Sequence, residues 1–136
     1  MKAAWYNKQG PARRVIKVGD FDTPNAKPGE VRIKIAYSGL NPTDIKRRQG
    51  FGGQLHAYPT IIPHSDGSGV IDQVGKGVPK SRLKEKVWIW SGQWQRPFGT
   101  CAEYITLPAR QAVPLPKKMS LLHGACIGIP AITAHR

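Results

Sequence analysis

The 136-residue chain is predicted to fold as a mainly β, barrel-like domain that ends in one helix. Three observations predict this class. Short segments rich in branched and aromatic residues recur along the chain, and 15 Gly and 12 Pro residues punctuate them as turns. Only the last segment has a strongly helical pattern. A hydrophobic content of 40% and a charged content of 21% are ordinary for a folded protein, and the length suits one core.

The strands are predicted from alternation and from the turns that bound them. The clearest alternation lies in residues 31–37, where Val31, Ile33, Ile35 and Tyr37 face one way. A period of two residues is typical of a half-buried strand, and Pro28-Gly29 supplies the turn before it. Further strands are predicted at residues 1–6, 12–18, 68–74, 85–90 and 99–107, and near Val113.

Two helices are predicted. Pro42 can open a short helix that runs to about Arg48, and Gly50 ends it. Near the end of the chain, Ser120 is a plausible N-cap for a helix that continues through Cys126 and Ile129. Pro130 is expected to end or kink this second helix, because proline lacks the amide hydrogen. Cys126 is expected to pack as a core thiol on its apolar face.

The charge balance is unusual, because 21 basic residues face 8 acidic ones and give a net charge of +13. We interpret the surplus first as a solvated surface, or as a face that meets an acidic neighbouring domain. Contact with a phosphate-bearing cofactor or with nucleic acid stays open as an alternative.

Targeting and thiol chemistry are read from the first residues and from the cysteines. The chain begins without the apolar run of a signal peptide, and nothing in it resembles a membrane span. The cytoplasm is therefore expected. Cys101 and Cys126 are the only cysteines; their spacing suits neither a metal site nor a disulfide framework, so both are expected to be reduced.

Four segments occur in an order that resembles a known family: Pro28-Gly29-Glu30-Val31, Ser38-Gly39-Leu40-Asn41-Pro42-Thr43-Asp44, Asp66-Gly67-Ser68-Gly69-Val70 and Gly124-Ala125-Cys126-Ile127-Gly128-Ile129-Pro130. Together they resemble the amino-terminal domain of medium-chain dehydrogenases/reductases, in the zinc-free quinone oxidoreductase (zeta-crystallin-like) branch. The resemblance covers nearly the whole chain. It implies a GroES-like, partly open β-barrel with a few short helices over residues 1–118. Residues 119–136 would be a helical segment that leads to a missing Rossmann domain.

The resemblance also implies a reaction without a metal. Zinc-using relatives carry a cysteine where Asn41 lies and a His–Glu pair where Ser65-Asp66 lies, and an amide and a hydroxyl are poor zinc ligands. His64 lies one residue early and is expected to be a loop histidine. Zinc-free relatives transfer hydride from NADPH to a quinone or an activated alkene. No Gly-x-Gly-x-x-Gly turn occurs here, so this fragment alone is expected to be inactive and not to bind a dinucleotide tightly.

Four site residues follow from the resemblance. Asn41 is expected to be catalytic and to contact the nicotinamide, Thr133 to contact the nicotinamide carboxamide, and Lys46 to lie near the cofactor phosphate. Phe51 is expected to line the substrate mouth, at a position that is often tyrosine in the family. From the residues alone, Asn41 also suits a turn, Thr133 a helix cap and Lys46 a solvated surface.

The expected partners are a small quinone or enone substrate and the missing Rossmann domain, with a homodimer for the full-length protein and no membrane. Nucleic acid is not favoured. Two alternatives stay open. The first is a free-standing basic β-barrel that binds nucleic acid or another polyanion, for which the tryptophans at positions 88, 90 and 94 are candidate stacking residues. The second is a non-enzymatic relative that keeps the fold.

Overall fold

The structure is a computed structural model that describes residues 1–51 and 58–135. Its strands and helices are short, apart from two long central strands and one helix of eight residues. In chain order they are β1 (Lys2–Trp5), α1 (Ala12–Val15), β2 (Lys17–Asp20), β3 (Glu30–Gly39), α2 (Pro42–Gln49), β4 (Asp66–Val74), β5 (Lys86–Ile89), β6 (Tyr104–Pro108), β7 (Ala112–Pro114), α3 (Leu121–Gly124) and α4 (Ile132–His135). Single 3₁₀ turns lie at Lys80–Arg82 and Ala109–Gln111.

The main sheet has five strands in the order β6-β3-β4-β5-β7, and every neighbouring pair is antiparallel. Strands β1 and β2 form a separate antiparallel pair. The five-stranded sheet curls into a half-barrel with the short helices around it, so the predicted mainly β, partly open barrel is confirmed. Among the described residues, no helix is long and apolar enough to cross a membrane.

The core lies on one face of the curled sheet and follows the predicted alternation. It comprises Val31, Ile33, Ile71, Val87, Ile89, Ile105, Leu107 and Ala112. The alternation of β3 fails at its end, because Tyr37 is 46% exposed although it was predicted to share the face of Ile33. The pairing of β3 with β4 shifts register between Ile35 and Tyr37, and such an irregularity turns the following side chains to another face.

The predicted strand over residues 12–18 is wrong. Residues Ala12–Val15 form the single-turn helix α1, and β2 begins only at Lys17. The backbone amides of Arg14 and Val15 both bond the carbonyl of Pro11, which starts the turn. The branched residues of this segment suggested a strand, but only Val15 is buried, because the helix turns a single apolar side chain inward.

Helix α2 agrees with its prediction at both ends. Pro42 occupies the first turn, and Asn41 and Asp44 form a capping box in which the Asp44 carboxylate accepts the Asn41 amide at 2.8 Å. Gly50 ends the helix with φ 73°, a left-handed conformation that glycine adopts without a side-chain penalty.

The carboxy-terminal helix is interrupted. Ser120 caps α3 by accepting the backbone amide of His123, as predicted. The helix stops at Gly124, and the following segment Ile127–Ala131 is broken at Gly128, two residues before Pro130. Cys126 lies in this break and is exposed, so the prediction of a packed core thiol is wrong. Arg136, the last residue of the predicted helical segment, lies outside the described residues.

We expect Ile33→Ala to lower the free energy of unfolding by about 2–5 kcal/mol, because it opens a cavity where β3 is fully buried. Urea denaturation followed by circular dichroism measures the change. Ile132→Ala is the matched control, since Ile132 is 44% exposed and should lose less than about 1 kcal/mol. Equal losses in both variants would contradict the assignment of the core.

Candidate active site

Asn41 lies between β3 and α2 and is only 3% exposed. Its position is fixed at two atoms. The backbone amide donates to the carboxylate of Asp44 at 2.8 Å, and the side-chain nitrogen Nδ2 donates to Oδ2 of Asp66, also at 2.8 Å. Because both groups are engaged, the Asn41 side chain has one preferred orientation at the start of the helix.

Asp66, the first residue of β4, joins two parts of the chain that are far apart in sequence. Its carboxylate accepts Asn41 Nδ2 on one side and the backbone amide of Ile129 on the other, at 3.0 Å and 3.1 Å to its two oxygens. Gly128 permits this approach, since a β-carbon there would collide with the Asp66 carboxylate. Asp66 therefore connects the broken segment Ile127–Ala131 to the start of α2 by hydrogen bonds.

The electrostatics of Asp66 are those of a buried carboxylate with few charged partners. It is 1% exposed, and burial raises the pKa of its carboxyl group. The hydrogen bonds from Asn41 and Ile129 lower that pKa, while the nearby charge of Asp44 raises it. Burial also dominates at Asp44, where it raises the pKa against the opposing effects of Asn41, His64 and Arg47.

A cleft of about 310 Å³ opens beside this junction. Thr133 lines it from α4, together with Ile129 and Gly128 from the broken segment and Trp90 and Ser91 from the loop after β5. Asn41 is not part of this lining. Asp66 connects Asn41 to the cleft through the backbone of Ile129, so the structure brings Asn41 and Thr133 to one region without direct contact.

His64 belongs to a second polar chain on the other side of Asp66. Its Nδ1 lies 2.9 Å from Ser38 Oγ, which lies 2.8 Å from Thr100 Oγ1, and Thr100 donates to the backbone carbonyl of Asp66 at 2.5 Å. Burial lowers the pKa of the His64 imidazole, and the carboxylate of Asp44 raises it to a smaller extent. His64 thus lies in the loop before β4, as predicted, with φ 77° and with its ring held by Ser38.

Lys46 and Phe51 lie together at the far end of α2. Both side chains are exposed, Phe51 by 70%, and Lys46 Nζ lies 5.3 Å from the centre of the Phe51 ring. This is the geometry of a cation–π contact, which accounts for the pair locally. The structure does not place either residue in the cleft lined by Thr133. Their predicted roles at the cofactor phosphate and the substrate mouth remain predictions.

Sequence reasoning missed Asp66 as an organising residue and considered it only as a failed zinc position. It also missed Gln111, which is 6% exposed and donates to the carbonyls of Trp90 and Ser91 at 2.9 and 3.1 Å. A signal was present for Asp66, because an aspartate that opens a glycine-rich buried strand needs an internal partner. No comparable signal marks Gln111, which lies in an unremarkable turn.

The tryptophans at positions 88, 90 and 94 differ in their exposure. On β5 the buried face carries Val87 and Ile89, whereas Trp88 is half-buried and Trp90, just beyond the strand, is 44% exposed. Trp94 is 64% exposed. Two of the three indoles therefore remain largely open on the surface.

The curled half-barrel with short helices around it is a GroES-like fold. Residues 27–117, well over half of the chain, match the family model of the alcohol dehydrogenase GroES-like domain. The chain belongs to this family.

Known relatives agree with this assignment. The chain is 33% identical over 126 residues to the trans-enoyl reductase fsr4 of Gibberella fujikuroi, covering 93% of this chain and 35% of that protein. It is 32% identical over 123 residues to the quinone oxidoreductase of Homo sapiens, covering 90% and 36%. The solved structure of the quinone oxidoreductase from Coxiella burnetii superposes with a TM-score of 0.86 at 28% identity, covering 99% of this chain and 43% of that chain. The chain thus spans about a third of the length of the curated relatives.

We expect Asp66→Asn to lower the free energy of unfolding by about 2–3 kcal/mol, because one of the two donors, Asn41 Nδ2 or the Ile129 amide, then faces a second donor. Amide hydrogen exchange at Ile129 should accelerate more than exchange in β3. Asp22→Asn is the control, since that carboxylate is exposed. An unchanged exchange rate at Ile129 would show that Asp66 does not hold this segment.

We expect His64 to make stability depend on pH. Because burial lowers its pKa below the ordinary 6.5, the folded chain binds this proton less readily than the unfolded chain. The stability that the neutral His64 ring contributes is fully present above about pH 6.5, the unfolded-state pKa, and is lost as pH falls through the lower folded-state pKa. Thermal melts between pH 7 and pH 5 should show a smaller decline in His64→Asn than in the wild type, and asparagine tolerates the positive φ. His135→Asn, an exposed control, should follow the wild type.

Proposed function

We propose that this chain is the catalytic and substrate-binding domain of an NADPH-dependent oxidoreductase that transfers hydride to a quinone or an activated alkene without zinc. The observation that carries the proposal is the Asp66 junction, which fixes the Asn41 amide and the wall of the Thr133 cleft with one buried carboxylate. Relatives named as quinone oxidoreductases and as a trans-enoyl reductase support the acceptor class.

Asn41 would act behind the wall of the Thr133 cleft, to which Asp66 and Ile129 connect it. Its Nδ2 carries two hydrogens, and Asp66 accepts one of them. The second would donate to a carbonyl oxygen of the acceptor or to the cofactor carboxamide. Because Asp66 and the backbone already fix the amide, this donor costs little reorganisation when negative charge develops on that oxygen. Asn41 would thus polarise the carbonyl group of the acceptor by a hydrogen bond. An electron-poor acceptor needs little further polarisation.

The residues present do not fit a catalytic zinc. Asn41 presents a hydrogen-bond donor to Asp66, and both oxygens of Asp66 are engaged. The His64 ring bonds Ser38. Within residues 1–51 and 58–135, no group of three His, Cys, Asp or Glu residues is arranged to hold a metal ion, whereas a catalytic zinc needs three protein ligands.

The cleft residues do fit a nicotinamide. Its lining combines apolar surface from Ile129, Ile132 and Trp90 with the hydroxyl of Thr133, and this suits a flat ring that carries one carboxamide. Thr133 would bond the carboxamide, as the family resemblance implies. When bound, NADPH supplies the hydride, while the chain orients the acceptor and excludes water. Most of the dinucleotide would be held by a cofactor domain outside this chain.

Two further parts of the proposal concern the complete protein. We infer that it is a cytoplasmic homodimer whose cofactor domain follows this one, as the resemblance implies. The alternatives of a polyanion-binding barrel and of a non-enzymatic relative are separated from the proposal by turnover, since neither alternative predicts oxidation of NADPH.

In the complete protein, we expect Asn41→Ala to lower kcat/KM for 1,4-naphthoquinone by about tenfold to a hundredfold, because a preorganised donor is lost. The measurement is the decrease of NADPH absorbance at saturating cofactor. Asn25→Ala is the matched control, since Asn25 is exposed and lies near Gln73, toward the opposite end of β4 from Asp66. Unchanged turnover in Asn41→Ala would remove Asn41 from the reacting centre, and a wild-type protein that never oxidises NADPH with quinones or enones would refute the function.

A further inference from the structure

A second, larger groove adjoins the Thr133 cleft. It has a volume of about 570 Å³ and shares Trp90 and Ser91 with that cleft, so these two residues line both openings. The remaining lining comes from the loop after β5, from the end of β6 and from the 3₁₀ turn before β7: Trp94, Gln95, Arg96, Pro108, Arg110 and Gln111. The lining contains two indoles and two guanidinium groups and no carboxylate.

Buried Gln111 builds this groove. Its Nε2 donates to the carbonyls of Trp90 and Ser91, and its Oε1 accepts Nη2 of Arg96 at 2.6 Å. One amide therefore fixes the shared wall and holds a guanidinium group at a set distance from it. Such a chain of hydrogen bonds from a buried side chain preorganises the arginine, which lowers the entropy cost of binding.

Within residues 1–51 and 58–135, neither arginine of the groove forms an ion pair with a carboxylate. The ion pairs of the described residues join Lys2 to Asp20, Arg32 to Asp72 and Arg82 to Glu85, and none involves Arg96 or Arg110. Residues 52–57 contain no Asp or Glu, so that segment supplies no side-chain carboxylate either. Burial lowers the pKa of Arg96, and the charge of Glu30 opposes this from a distance.

The backbone and the indoles also point to a binding surface. Ser91 and Gln95 bracket Trp94 with φ angles of 49° and 54°, in the left-handed region that costs free energy for residues other than glycine. Trp94 is 64% exposed and Trp90 is 44% exposed. Two large apolar rings thus stand open beside two positive groups.

We propose that this groove binds a small planar aromatic anion, whose ring stacks on Trp90 and Trp94 and whose carboxylate, sulfonate or phosphate pairs with Arg96 and Arg110. Guanidinium groups match the geometry of such anions, and indoles offer the strongest faces for stacking. The groove and the Thr133 cleft both have Trp90 and Ser91 in their lining, so an acceptor with an anionic ring could occupy the groove. That the anion is part of the acceptor molecule rests on the proposed function. Binding of the anion to this chain does not depend on that function.

The test uses this chain labelled with ¹⁵N at tryptophan, and it follows the four indole N–H signals. Naphthalene-2-sulfonate is the probe, and naphthalene-2-sulfonamide is the neutral probe of matched shape. We expect the sulfonate to shift the signals of Trp90 and Trp94 in a saturable way and to leave Trp5 and Trp88 nearly unchanged. The sulfonamide should bind at least about tenfold more weakly, since it cannot form the charged hydrogen bonds.

Variants separate the groove from the general positive charge of the chain. Arg110→Gln, at an exposed position, should raise Kd for the sulfonate by about tenfold, and Arg96→Gln should do the same. Removal of the exposed Arg13 and Arg14 by the double change Arg13→Gln/Arg14→Gln should alter Kd by less than about twofold. Circular dichroism checks that each variant is folded. If Arg96→Gln does not fold, the result for Arg110→Gln alone decides the test.

Equal shifts at all four indoles, equal binding of the neutral probe, or equal weakening by the Arg13 and Arg14 changes would each overturn the site. Failure of the proposed function is a separate result. If the complete protein oxidises no NADPH but the groove binds the sulfonate as expected, the groove stands and the oxidoreductase assignment falls. If the complete protein reduces neutral quinones but this chain does not bind the sulfonate, the groove proposal is wrong and the proposed function is supported.

Discussion

The buried carboxylate of Asp66 is the constraint on which the rest of the site depends. A carboxylate at 1% exposure is costly unless hydrogen bonds compensate it, and here the donors are the Asn41 amide and the backbone of Ile129. Each donor comes from a different part of the chain, so satisfying the charge also positions both parts. Gly128 is necessary to the arrangement, because the break at this residue lets the Ile129 amide approach.

The sheet explains why this carboxylate lies where it does. Strand β4 pairs with β3 and β5 in the middle of the five strands, and Asp66 is its first residue. Its backbone carbonyl accepts the Thr100 hydroxyl, and Thr100 is in turn linked through Ser38 to His64. Polar contacts therefore link β3, β4 and the loops that carry His64 and Thr100 at this end of the sheet. Two of the eight acidic residues, Asp44 and Asp66, are buried at this end, which leaves the surface more basic than the composition alone suggests.

The helix ends were predictable from the sequence, because each depends on residues within one turn of it. The capping residues of α2, Gly50 at its end and the Ser120 cap all act within one helical turn, and all were predictable. The failures depend on tertiary structure. Val15 reads like a strand residue but is buried by a helix of one turn. Cys126 has the sequence pattern of a buried helix residue, but it is exposed between α3 and the segment Ile127–Ala131. The contact between Asp66 and Ile129 lies in that segment. Asn41 and Thr133 are predicted as site residues only through the family resemblance, and the link between them through Asp66 is not encoded in any short motif.

Trp90 and Ser91 line both the Thr133 cleft and the larger groove beside it. The carbonyls of Trp90 and Ser91 need donors once the loop after β5 leaves the sheet, and Gln111 from the strand-edge turn supplies them. The side-chain oxygen of Gln111 in turn accepts a hydrogen bond from Arg96. A purely structural need of the loop thus places a guanidinium group and two indoles beside the Thr133 cleft. A change at Gln111 would disturb both openings together, whereas a change at Arg110 would alter the charge of the outer groove and leave the wall intact.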